Sequence, residues 1–249
     1  MSKEPIDNPV GRYLMTEPSG SLVCKDSSKF KVDGDFVAGH TRDSTNKPPI
    51  DGEIPGTKDF DGLNDRILLR NTNGTGRIVN DFTVCYWMYW ATQTNSHSPF
   101  SAMSTDGDED NELTLFTKTD GDTGNNLYNR WWINGTAINS AVEGNKFFEN
   151  EWTFCGIRRS GSALYEISNT NILSLGTNGN ALNLDCQMFI GLDADTSCIS
   201  SLANVHVGGL YDMRFYDVAL SDRDWLRLAN GYQDPQTDNV VPHVTDRLL

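Results

Sequence analysis

The chain has 249 residues, 37% hydrophobic and 22% charged, and its 20 basic against 34 acidic side chains give a formal net charge of −14. Such a length allows one large or two small domains with a sizeable core, and the charge sets the average surface against nucleic-acid phosphates and anionic membranes. No apolar run approaches the roughly 18 residues that span a bilayer, and the first thirty residues mix charge, proline and glycine, so neither membrane insertion nor a secretory leader is expected.

Residues 1–58 are polar and studded with proline (Pro5, Pro9, Pro18, Pro48, Pro49 and Pro55). They read as an extended arm carrying one or two edge strands. From residue 59 to 230 short strand candidates follow one another: Phe82 to Trp90, Glu112 to Lys118, Leu127 to Ile133, Trp152 to Arg158, Ala163 to Ser168, Met188 to Leu192 and Leu210 to Tyr216. The run from Phe82 places apolar residues on both alternating sets, which predicts a central strand covered on both faces. Asp106-Gly107, Asp120-Gly121, Asn134-Gly135 and Ser160-Gly161 supply turn dipeptides between runs. The pattern predicts an all-β fold, a large antiparallel two-sheet sandwich or jelly roll. One helix interrupts it over Ser221 to Asn230, with a serine N-cap, acids in the first turn and an Asn-Gly stop. Its Trp225 and Leu228 share a face and should pack on the sandwich. Residues 231–249 form a second polar tail.

The five cysteines (Cys24, Cys85, Cys155, Cys186 and Cys198) are odd in number and lack a C-x-x-C pair. They read as buried free thiols. The four histidines are scattered without zinc spacing, and there is no nucleophile elbow, phosphate loop or dinucleotide fingerprint. Asp106, Asp108 and Asp110 imitate an EF-hand start, but Asn111 and Thr117 stand where its glycine and final glutamate belong, so that reading fails.

Four stretches, in order, resemble the laminin-G-like, concanavalin A-like jelly rolls. They are Phe60-Asp-Gly-Leu-Asn-Asp-Arg-Ile-Leu, Asp81-Phe-Thr-Val-Cys-Tyr-Trp-Met, Glu151-Trp-Thr-Phe-Cys-Gly-Ile-Arg-Arg-Ser-Gly-Ser-Ala-Leu-Tyr-Glu-Ile-Ser-Asn, and Gly209-Leu-Tyr-Asp-Met-Arg-Phe-Tyr-Asp-Val-Ala-Leu-Ser. The resemblance covers residues 59–230 and implies a concanavalin A-like sandwich that serves as a sugar- or protein-binding module or as a laminarinase-type glycoside hydrolase. The hydrolase branch needs two carboxylates about 5–5.5 Å apart on one strand. No E-x-D-x-(x)-E stretch supplies them, so a non-catalytic protein is expected, with a glucanase-like hydrolase as an alternative.

The resemblance also implies a calcium site in which Asp61 or Asp65 shares an ion with Asp212, although Tyr211 replaces the first acid of the usual closing pair. Calcium is the only cofactor suggested. For carbohydrate, which stacks its C–H face on an aromatic ring and bonds at its edges, the candidates are Trp131 and Trp132 with Asn134. Burial of both tryptophans on a covered strand is the alternative. A fold used outside cells, no leader and two polar arms together suggest a virion-surface protein of a phage or virus. Such a protein would be a capsid decoration or host-glycan-binding component, held to other virion proteins through residues 1–58 and 231–249, and a homo-oligomer. A secreted-type lectin module acting extracellularly is the alternative.

Overall fold

The computed structural model describes residues 8–43, 45–50, 54–69, 80–91, 98–102, 113–119, 127–133, 136–139, 150–182, 188–195, 199–203 and 205–231, with Ile6, Ile78 and Leu184. In chain order the strands are β1 (Gly11–Tyr13), β2 (Val23–Cys24), β3 (Gly34–Val37), β4 (Thr41–Asp43), β5 (Thr57–Asp61), β6 (Arg66–Leu69), β7 (Phe82–Tyr89), β8 (Phe100–Ala102) and β9 (Leu113–Thr119). They continue as β10 (Leu127–Ile133), β11 (Thr136–Asn139), β12 (Trp152–Ser160), β13 (Ala163–Ser168), β14 (Asn171–Thr177), β15 (Met188–Ile190), β16 (Asp193–Asp195), β17 (Ile199–Ala203) and β18 (Val207–Tyr216), followed by helix α1 (Asp222–Ala229).

Two eight-stranded sheets make the body. The first runs β14-β13-β12-β7-β18-β5-β4 with β1 also paired to β18, and the second runs β11-β10-β9-β8-β15-β6-β3-β2. Their strand pairs are antiparallel. The protein is thus an all-β, two-sheet antiparallel sandwich, with one short helix among the described residues.

The two faces of β7 explain its composition. Val84, Tyr86 and Met88 join Phe100, Ile190, Leu210 and Phe215 in the core between the sheets, all of them buried. Cys85 and Trp87 point the other way and build a second apolar layer with Phe154, Tyr211, Trp225 and Leu228. A strand buried on both sides cannot show a polar stripe. Helix α1 closes this outer layer. Ser221 Oγ accepts the Asp224 N–H at 3.2 Å as its N-cap, and Trp225 and Leu228 are buried as their spacing predicts.

Residues 1–58 differ from the expected arm. Four strands, β1 to β4, come from this segment; β4 and β2 lie at sheet edges, but Tyr13, Met15, Cys24 and Phe36 are buried in the common core. These strands are only two to four residues long, too short to show an alternation that sequence reading could detect. The described part of the segment belongs to the sandwich. The tail from residue 232 lies outside the described residues.

A buried ion triad fixes this segment to the closing strand. The β1–β18 register sets Arg12 opposite Arg214, which alone would be repulsive. Asp212 resolves it. Its backbone takes φ 49° at the register shift between Tyr211 and Arg214. The carboxylate accepts Arg12 Nε–H at 2.8 Å and Arg12 Nη2–H at 3.2 Å, Arg214 Nε–H at 3.0 Å, and Arg214 Nη2–H. All three residues are buried. The two guanidinium groups hold the Asp212 carboxyl well below the usual carboxylate range, against the upward pull of burial.

Cys24, Cys85 and Cys155 are buried free thiols, and burial pushes the Cys85 thiol up to about 12. Cys186 and Cys198 lie outside the described residues.

Candidate functional site

At one end of the outer face of the first sheet, a single row of residues crosses five strands. Trp152 on β12 is paired with Tyr89 on β7. The pairing of Leu210 with Met88, extended by one residue, sets Gly209 of β18 beside Tyr89. Gly209 pairs with Asp59 of β5, and Asp59 with Thr41 of β4. Residues directly opposite in antiparallel strands share a face, so Trp152, Tyr89, Gly209, Asp59 and Thr41 form one cross-strand track. At about 4.8 Å per strand it is roughly 19 Å long. Trp152 and Tyr89 are half-buried, and Asp59 and Thr41 are exposed.

Each aromatic is held by named contacts. The Trp152 and Tyr89 rings lie 5.6 Å apart with planes tilted by 47°. The Trp152 indole N–H donates to Asn46 Oδ1 at 2.7 Å, and the Tyr89 hydroxyl donates to Asn150 Oδ1 at 3.2 Å. Asn46 is positioned in turn, because the Asp43 carboxylate accepts the N–H groups of Thr45 and Asn46 and the Thr45 hydroxyl, while the Asn46 carbonyl accepts the Thr57 hydroxyl. These contacts depress the Asp43 carboxyl, the Thr45 hydroxyl most. Asn150 adopts φ 61°, a conformation asparagine tolerates better than most residues.

The platform depends on a bare backbone beneath it. A Cβ built on Gly209 would stand 2.8 and 2.9 Å from Cη2 and Cζ2 of Trp152, so the indole rests where only glycine leaves room. Gly209→Ala is therefore expected to lift the ring while leaving β18 paired. A changed near-ultraviolet tryptophan signal with an unchanged far-ultraviolet spectrum would show it; an unaltered tryptophan environment would refute it.

Asp59 is the charged member of the row. Its carboxyl is pushed up, first by partial desolvation beside the sheet and then by the like charges of Asp43, Asp65 and Asp61. The track thus offers an aromatic platform, two amides, hydroxyls and one carboxylate.

The residues chosen from sequence lie elsewhere. Trp131 and Trp132 sit on β10, an interior strand of the second sheet, where Trp131 pairs with Leu115 and Ile138, and Trp132 with Thr114 and Ala137. Asn134 lies outside the described residues. Asp61 and Asp65 shape the turn after β5: Asp61 Oδ1 accepts Leu63 N–H at 2.8 Å, and Asp65 Oδ2 accepts Asp61 N–H at 3.2 Å. Asp212, the third residue of the expected calcium site, has both its oxygens engaged by Arg12 and Arg214. Among the described residues no group of three His, Cys, Asp or Glu side chains could hold a metal ion.

Sequence reasoning missed Trp152, Tyr89 and Asp59 as a group because they come from three strands, although Trp152 and Gly209 stand near the starts of two stretches that carried the family resemblance. A period-two count along β7 and β12 puts Tyr89 and Trp152 on the face opposite the core.

No protein-family model matches this sequence, nor does the sequence of any curated protein. Among solved structures, the chain is similar to domain 4 of AbnA, a GH43 extracellular arabinanase from Geobacillus stearothermophilus, in complex with arabinotriose. The TM-score is 0.65 at 15% identity, over 89% of this chain and 98% of that one. It is also similar to the binding domain of botulinum neurotoxin serotype D, with TM-score 0.62, 12% identity and 91% of this chain covered. The binding domain of botulinum neurotoxin DC in complex with SialylT gives TM-score 0.60 at 13% identity and the same 91% coverage. The match takes in 52% of each of the two toxin chains, about half their length. At these identities the likeness is one of fold: the class is the two-sheet β-sandwich that these domains share.

Proposed function

We propose that this protein is a non-catalytic, lectin-like carbohydrate-binding module of the laminin-G-like kind, and that it takes its ligand on the Trp152 row. The observation that carries this reading is the half-buried Trp152–Tyr89 pair with the Asn46 and Asn150 amides beside it. A sugar ring stacks its C–H face on such rings and satisfies its hydroxyls on the polar neighbours. The fold supports it, since one similar domain was solved with arabinotriose bound. The strand-borne carboxylate pair of the hydrolase branch is missing from the sequence, which supports binding without hydrolysis.

Titration calorimetry of the full chain against neutral oligosaccharides, arabinotriose first, with and without calcium, tests the reading. Trp152→Ala should weaken binding about 30-fold or more, the scale of an aromatic anchor, with the far-ultraviolet spectrum retained. Full-strength binding by that variant would place the ligand elsewhere. A parallel reducing-sugar assay is expected to show no release, and turnover would overturn the non-catalytic assignment.

Display on a virion surface is the setting we propose for such a module, with the polar tail 231–249 as the tether, since residues 11–43 supply four strands of the sandwich. Mass spectrometry of purified particles tests it: absence of this polypeptide would rule the setting out.

A further inference from the structure

The row carries one carboxylate, Asp59, between Gly209 and Thr41. Resting on the glycan-binding reading above, we infer that this face selects uncharged saccharides and rejects anionic ones, with Asp59 as the specificity-determining residue.

The placement carries the argument. Asp59 lies directly across from Gly209, the bare position on which the Trp152 indole rests. A sugar stacked over Trp152 and Tyr89 therefore brings its edge to the Asp59 oxygens. A carboxylate has two acceptor oxygens and no donor. It suits a pair of sugar hydroxyls, and it has nothing to offer a uronate, sialate or sulfate group. The surroundings deepen this preference. Asp61 stands two residues further along β5 and exposed like Asp59, Asp43 lies one row away on β4, and exposed Glu151 precedes Trp152.

The two bases next to the row on β4 and β5 do not offset these acids. Arg42 and Lys58 pair with each other one position off the row, and strand alternation sends them to the opposite face. There the Lys58 ammonium sits 4.8 Å from the centre of the Phe36 ring and donates to the Pro18 carbonyl, while Arg42 donates to the Thr16 carbonyl. An anionic ligand at the row would meet like charge with no guanidinium or ammonium of these two strands to neutralise it, a built-in rejection of the wrong partner.

The experiment compares arabinotriose with tri-galacturonate and sialyllactose by titration calorimetry on the full chain, for wild type and Asp59→Asn. Wild type should bind the neutral sugar at least about tenfold more tightly than either anionic one. Asp59→Asn should weaken neutral binding by about tenfold, the scale of a lost hydrogen bond to a charged group, and narrow the gap between the classes. Its Tm should rise, because a carboxylate leaves a crowded acidic neighbourhood; lower affinity with a higher Tm separates a binding role from a structural one. Equal wild-type affinity for neutral and anionic sugars, with both lost in Trp152→Ala, would overturn this inference alone. So would unchanged neutral binding by Asp59→Asn, or a fall in its Tm. Binding of no saccharide at all would overturn the glycan reading and this inference with it.

Discussion

Asp212→Ala should destabilise the protein by about 3–5 kcal/mol, the cost of leaving buried charge without its counter-ion. Here two guanidinium groups would lose the carboxylate that both of them bind, since Arg12 and Arg214 face each other across β1 and β18 with Asp212 between them. Urea denaturation at neutral pH measures it, and a loss under about 1 kcal/mol would show that the triad is solvated in solution. The pH dependence has a definite sign. Asp212 is held below its ordinary range in the folded state, so its contribution is complete above the unfolded value near 4 and is lost as pH falls below it. Asp212→Ala should therefore narrow the gap to wild type only in strong acid. Replacing all three residues by apolar ones of similar volume should cost far less than the single change, which separates stranded charge from lost packing.

Trp225→Ala is expected to cost about 3–5 kcal/mol, the range for removing a fully buried aromatic. The indole does more than fill space. The Arg158 guanidinium lies 5.0 Å from the Trp225 ring centre and 4.5 Å from that of Tyr165, while its Nη1–H groups reach the Leu220 carbonyl at 2.7 Å and Asp222 Oδ1 at 2.6 Å. Trp225 is thus one half of the clamp that holds a charged side chain against the sheet and ties down the start of α1. Thermal melts and hydrogen exchange should show α1 amides losing protection before those of β7. Uniform loss across the sandwich would mean the helix is not a separable cap. Trp225→Phe, which keeps an aromatic face for Arg158, should recover part of the deficit.

The extent to which the sequence announced all this followed the physics of each element. Ala163–Ser168 and Leu127–Ile133 form strands over the predicted residues, and β7 ends one residue short of its predicted end, because long apolar, β-branched runs bounded by turn residues leave few alternatives. Helix α1 was legible from Ser221 and the Asn230-Gly231 stop, since caps act locally. The first fifty-eight residues were not, because strands of two to four residues carry no period, and their place is set by partners such as β18, some two hundred positions away. Trp152, Tyr89 and Asp59 converge only through register, which a linear reading does not contain. The paired tryptophans make β10 conspicuous because adjacency is visible in sequence and cross-strand adjacency is not.

One consequence follows from where β18 sits. This last strand lies beside β7 and β5 and also holds β1, so the first sheet stays open in its middle until residue 216 has left the ribosome. Folding of this sheet is then dominated by pairings distant along the chain, and slow. During that delay the edge of β7 that β18 will cover stays unpaired in a crowded cell. Chaperone capture of nascent chains truncated before β18, and its release once the strand is added, should mark the moment the sandwich closes.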